Sequence, residues 1–87
     1  MSIDLQFRPE LLDNRNGASL LGVKVFVSTR GCRTFRIIEE PSGRHLVRVQ
    51  NREGDNHYYL RSSNPDDPCG FTSMQDAVDA ANQKARE

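Results

Sequence analysis

The chain has no tryptophan, only two cysteines and no surplus of either charge, and each shortage removes a class of explanation. Twelve basic side chains balance twelve acidic ones, so the molecule as a whole exerts no long-range pull on nucleic acid or on a membrane surface. Any electrostatic role has to come from charge segregated within the fold. Four phenylalanines and two tyrosines in 87 residues, at a hydrophobic share of 36%, allow one small domain with a modest core. No apolar run reaches membrane-spanning length, and Met1-Ser2-Ile3-Asp4 lacks the charged start and apolar core of a secretory signal. The expectation is a cytoplasmic protein with no membrane partner.

Sequence signatures of enzyme chemistry are missing as well. There is no G-x-S-x-G, no phosphate-binding glycine loop and no metalloprotease helix. Glu39 and Glu40 look like a carboxylate pair, but adjacent residues of a strand point to opposite faces. Asp66-Asp67 lacks the spacing of a calcium loop. Cys32, Cys69, His45 and His57 have the residue types of a tetrahedral zinc set, yet no two cysteines form a C-x-x-C knuckle and the ligands would come from separate elements. In a reducing compartment Cys32 and Cys69 are expected as free thiols. The expectation is a non-catalytic protein with no metal and no cofactor.

What the chain does have is a series of extended runs separated by turn chemistry. Val23–Thr29, Arg33–Glu39, His45–Arg52 and His57–Ser62 are divided by Arg30-Gly31-Cys32, by Pro41-Ser42-Gly43 and by Glu53-Gly54-Asp55-Asn56. Those connections are too short for parallel crossovers, so an antiparallel meander follows. Upstream, Ile3-Asp4-Leu5-Gln6-Phe7-Arg8 alternates like a half-buried strand that Pro9 ends. One helical turn through Leu11 and Leu12, a reversal at Asn16-Gly17, and Leu20 and Leu21 covering one end of the core are expected next.

Downstream, Ser63 to Gly70 reads as a loop with two prolines. Thr72 is the expected helix cap, with Gln75 three residues on and Phe71 in the staple position. Met74, Ala77, Val78, Ala81 and Ala85 then make one apolar stripe at helical spacing. The predicted class is α+β: a four- to five-stranded antiparallel meander with one C-terminal helix packed on one face. Within this one domain, residues 1–21 form an N-terminal strand and loop, 22–63 the sheet, 64–71 a loop and 72–86 the helix.

Period-two alternation assigns the faces. Val23, Val25, Val27, Phe35, Ile37, Val47, Val49, Tyr58 and Leu60 are expected to meet the helix. The other face would then carry Lys24, Arg36, Arg48 and Arg61 around Phe26 and Tyr59. Charge is segregated to match: residues 22–63 hold eight basic and four acidic side chains, a net +4, while residues 64–87 stand at −3.

Guanidinium groups beside rings suit phosphates and bases. The leading expectation is a binding module that contacts nucleic acid or a nucleoprotein complex through Lys24, Phe26, Arg36, Arg48, Tyr59 and Arg61. The alternative is a mobile-element or phage inhibitor, or an adaptor, that masks a host protein complex, with Asp66, Asp67, Asp76 and Asp79 as an acidic phosphate-mimicking surface. A homodimer through Phe26, Ile38, Leu46 and Tyr59 is a third option. In layout alone, a short antiparallel sheet followed by one helix is similar to the sheet-reading DNA-binding domains of plant ethylene-response factors and to the arm-binding domains of phage integrases. Compact sheet-and-helix modules also occur among viral and plasmid inhibitors, including those of CRISPR surveillance complexes. The aromatic and glycine signatures of the DNA-binding families are absent from Val23 to Ser62, so no residue role carries over.

Overall fold

A computed structural model describes residues 4–10, 22–51 and 56–87. Strands β1 (Arg8–Pro9), β2 (Lys24–Arg30), β3 (Arg33–Glu39), β4 (His45–Asn51) and β5 (His57–Tyr59) form one antiparallel sheet in sequence order, followed by helix α1 (Met74–Ala85). The α+β meander with a C-terminal helix is therefore what the chain adopts. The expected helical turn through Leu11 and Leu12, and the placement of Leu20 and Leu21, lie outside the described residues.

Turn chemistry sets the register. Gly31 and Cys32 form a two-residue connection that places Arg30 opposite Arg33, and Gly31 takes φ 61°, the positive value that the first position of a type II′ turn requires. Between β3 and β4, Pro41-Ser42-Gly43 closes a three-residue loop in which Glu40 N donates to Arg44 O at 2.9 Å and Gly43 takes φ 93°.

That first turn overturns the expected orientation of β2. Because Arg30 pairs with Arg33, Ser28 falls opposite Phe35 and Phe26 opposite Ile37, so the even-numbered residues of β2 share the face of the core. Val25 and Val27 pair with Ile38 and Arg36 and turn away from the helix. The alternation of three valines is real, but it marks the opposite face from the one assigned to it. Phe26 packs against the core, and Ser28 is buried beside it. On β3, β4 and β5 the expected faces hold.

Phe35, Ile37, Val47 and Val49 are completely buried, and removing each from water contributes roughly 1.5–3 kcal/mol. Ala77 and Ala81 of α1 meet them, with Met74, Val78 and Ala85 packed around, so the predicted apolar stripe is the docking face of the helix. Its small side chains let the helix axis lie close to the sheet. The cap falls one residue later than expected: Ser73 is the N-cap, and its Oγ accepts from Asp76 N at 3.1 Å. At the other end Arg33 donates to Lys84 O at 2.9 Å, filling one of the carbonyls that a helix terminus leaves open.

The N-terminal segment is held differently from the strand predicted for it. Leu5 is buried in the core and its N–H donates to Asn82 Oδ1 at 2.7 Å, while Arg86 pairs with Asp4 at 3.1 Å. Pairing with β2 begins only at Arg8 and stops at Pro9, opposite Phe26, so Pro9 does end the strand, as its last paired residue. An edge strand tolerates a residue without an N–H.

Beyond β5 the chain leaves the sheet and returns. Leu60 N donates to Val47 O at 2.9 Å, and Phe71 exchanges hydrogen bonds of 2.9 and 2.7 Å with His45, so both ends of the excursion stand on β4. Phe71, expected as a staple on the helix, instead serves as a buried continuation of the sheet.

Candidate functional site

Helix α1 covers one face of the sheet, and the candidate site lies on the other. Following the register across all five strands, Arg8 stands opposite Val27, Val27 opposite Arg36, Arg36 opposite Arg48, and Arg48 opposite Tyr59. These residues form a single row on the helix-free face, about 19 Å from end to end at the usual strand spacing. A second row runs through Val25, Ile38 and Leu46, and a third through Thr29, Thr34, Gln50 and His57. The face is thus aliphatic at one end, cationic across its middle and polar at the other end.

Of the six residues expected to make one surface, the fold brings Arg36, Arg48 and Tyr59 together. Lys24 and Phe26 are corrected to the opposite face, because the Gly31-Cys32 turn puts them opposite Glu39 and Ile37. Arg61 lies past the end of β5, where it borders a surface hollow shared with Asp76, Asp79 and Gln83 of the helix. Arg8 was missed. Its signal was present in the alternation of Leu5, Phe7 and Pro9 toward the core, which leaves Arg8 on the other side.

The two central arginines differ in their surroundings. Arg36 Nε donates to Glu10 Oε2 at 2.9 Å and its guanidinium also donates to Gln50 Oε1 at 3.1 Å, so it is held in place and partly neutralised. Arg48 Nε is shielded from solvent and has no hydrogen-bond partner among the described residues. A desolvated donor left without an acceptor costs roughly 1–3 kcal/mol. Tyr59 remains 40% exposed next to it, offering a ring edge and face to solvent. Tyr58, on the helix side, has Lys84 5.8 Å from its ring centre.

The acidic residues considered as a phosphate-like surface are tied into separate local structures. Arg44 grips Asp67 through two parallel hydrogen bonds of 2.6 and 2.8 Å and reaches Glu40 at 3.3 Å. These bonds, opposed by partial desolvation and aided by Coulombic attraction, hold the Asp67 carboxyl below the ordinary carboxylate range. Gly70 N donates to the Asp67 carbonyl at 3.0 Å, and Ser62 Oγ donates to the same oxygen at 2.8 Å. Asp67 therefore braces the loop after β5. Asp76 accepts from Thr72 Oγ1, and Asp79 accepts from Gln75 Nε2, while Asp66 is exposed on the loop. Only Asp76 and Asp79 share a helical surface.

Among the described residues no group of three or more His, Cys, Asp or Glu side chains is arranged to hold a metal, and no helix is long and apolar enough to cross a membrane. Cys32 and Cys69 are exposed thiols, the first in the β2–β3 turn and the second on the loop before the helix. Comparison with protein-family models, with curated proteins and with solved structures finds no match.

Proposed function

We propose that this protein is a binding module that engages nucleic acid through the helix-free face of its sheet. The observation that supports the reading is the row of Arg8, Arg36 and Arg48 ending on Tyr59, with Glu10 as the one acidic side chain that the described residues place beside it. Helix acids Asp76 and Asp79 lie on the other side of the molecule's core, so the balanced total charge conceals a cationic face. A sheet-to-sheet homodimer would press two cationic rows together, whereas a polyanion neutralises them.

The aliphatic row of Val25, Ile38 and Leu46 favours a second reading, in which the same face masks a surface of a partner protein, as an inhibitor or adaptor would. The two separate in one titration of labelled mixed-sequence oligonucleotides. Nucleic-acid engagement requires affinity tighter than about 10⁻⁴ M that falls steeply with salt. Combined Arg8→Gln, Arg36→Gln and Arg48→Gln substitution should abolish it, and Lys24→Gln on the helix side should leave it unchanged. Absence of salt-dependent binding overturns the nucleic-acid reading and leaves the protein-masking one.

A further inference from the structure

The helix-free face differs from a duplex-reading surface in the elements it presents. A major groove admits a helix or a protruding two-stranded ribbon, and here the one helix among the described residues lies behind the sheet with Asp76 and Asp79 in its first half. Those carboxylates would meet duplex phosphates with like charge. The cationic row instead crosses the middle of a broad sheet and runs into an open ring.

Within that row, Arg48 and Tyr59 are direct cross-strand partners. Such partners on one face have side chains that start about 5 Å apart, so a charge and a ring can act on adjacent parts of one ligand. Among the described residues Arg48 Nε lacks an acceptor, while Arg36 is already occupied by Glu10 and Gln50. Tyr59 is exposed on the side that the helix leaves bare. An anion at Arg48 supplies the missing acceptor once the side chain turns outward, and an unpaired base finds its stacking surface on Tyr59.

We infer that the face takes single-stranded rather than double-stranded nucleic acid, with a phosphate seated on Arg48 and the neighbouring base stacked on Tyr59. This rests on the nucleic-acid reading above and specifies its ligand. Stacking on a ring is tolerant of base identity, so binding should show little sequence preference. Glu10, by occupying Arg36, limits how strongly the row holds the backbone.

The test uses the intact protein in fluorescence anisotropy with a mixed-sequence oligonucleotide as single strand and as duplex, and with poly-glutamate as competitor, across a salt series. The expected result is tighter binding of the single strand by at least about tenfold, the scale of one stacked base. Tyr59→Leu should weaken the single strand by about 5- to 150-fold with the salt slope unchanged, and Tyr59→Phe should restore binding. Arg48→Gln should lower the slope of log affinity against log salt by about 0.7, as loss of one phosphate contact on a single strand does, while Arg48→Lys retains the slope.

Equal or tighter binding of the duplex overturns this inference while leaving nucleic-acid binding intact. Wild-type-like affinity of Tyr59→Leu overturns it in the same way. Poly-glutamate displacing the strand at equivalent charge, with the same sensitivity to Arg48→Gln, identifies an acidic polypeptide site and overturns both readings.

Discussion

Arg36 and Arg48 stand directly opposite each other across the β3–β4 ladder, two like charges of which, among the described residues, only Arg36 has a carboxylate beside it. Like charges in that position cost up to about 1 kcal/mol, and Glu10 offsets part of the repulsion by holding Arg36. Folding thus leaves one arginine constrained and the other in need of an acceptor.

Glu10→Gln removes that constraint. Because the pair is partly exposed, stability should change by no more than about 1 kcal/mol. Affinity for an oligonucleotide should rise severalfold and its salt dependence should steepen, read by the same anisotropy titration. Unchanged affinity would mean that Arg36 does not contact the ligand.

The orientation of β2 is open to a direct stability test. Phe26→Ala should destabilise by about 2–4 kcal/mol in urea denaturation, toward the lower part of the range for large-to-small core changes because the ring is not fully buried. Val25→Ala, on the helix-free face, should cost less than about 1 kcal/mol. The reverse order would contradict the register imposed by Gly31 and Cys32.

Gly70 is buried where a side chain has no room. A Cβ there would land inside the Asp67 carboxylate and 2.9 Å from Arg44 Nε. Gly70→Ala should therefore expel one member of the Arg44–Asp67 pair and destabilise by about 1–3 kcal/mol, as overpacked sites do. Loss of protection at the Ser62 and Gly70 amides in hydrogen exchange would locate the damage in this loop.

The same pair sets a pH dependence. Arg44 holds the folded-state pKa of Asp67 below its unfolded value, so the stabilisation is fully present above about pH 4, the ordinary aspartate value. It is lost as pH falls from there through the depressed folded value, because across that window the unfolded state binds more protons than the folded one. Thermal melts from pH 7 to pH 2 should show an acid limb that is shallower in Asp67→Asn. An identical limb in the variant would assign acid sensitivity to other carboxylates.

Much of the fold was legible in local chemistry. The strands, the turns between them and the helix stripe follow from short-range patterns, and Ala77 and Ala81 sit where their spacing put them. The site was legible only in part. Arg36 and Arg48 belong to strands whose alternation includes large buried residues, Ile37, Val47 and Val49, which left one choice of face, and Tyr59 takes its face from pairing with Arg48. Val25 and Val27 offered a second apolar stripe on β2, and the competition was decided by a two-residue turn that forces even numbers on β2 to face odd numbers on β3. Lys24 and Phe26 followed the valines in the wrong direction for that reason. Asn82 and Asp67 were invisible to periodicity because each acts through a long-range or loop hydrogen bond, Asn82 to Leu5 and Asp67 to Arg44.

Leu60 and Phe71 bond to Val47 and His45 of the same strand, β4, although ten residues separate them along the chain. Helix placement is therefore governed by where Phe71 docks, and the length of backbone spent between these footholds is free of that constraint. Segments of different size could be spliced in at the exposed Pro65-Asp66 tip without transmitting a shift to the arginine row. A peptide tag grafted there would report on the assembled domain from outside its architecture.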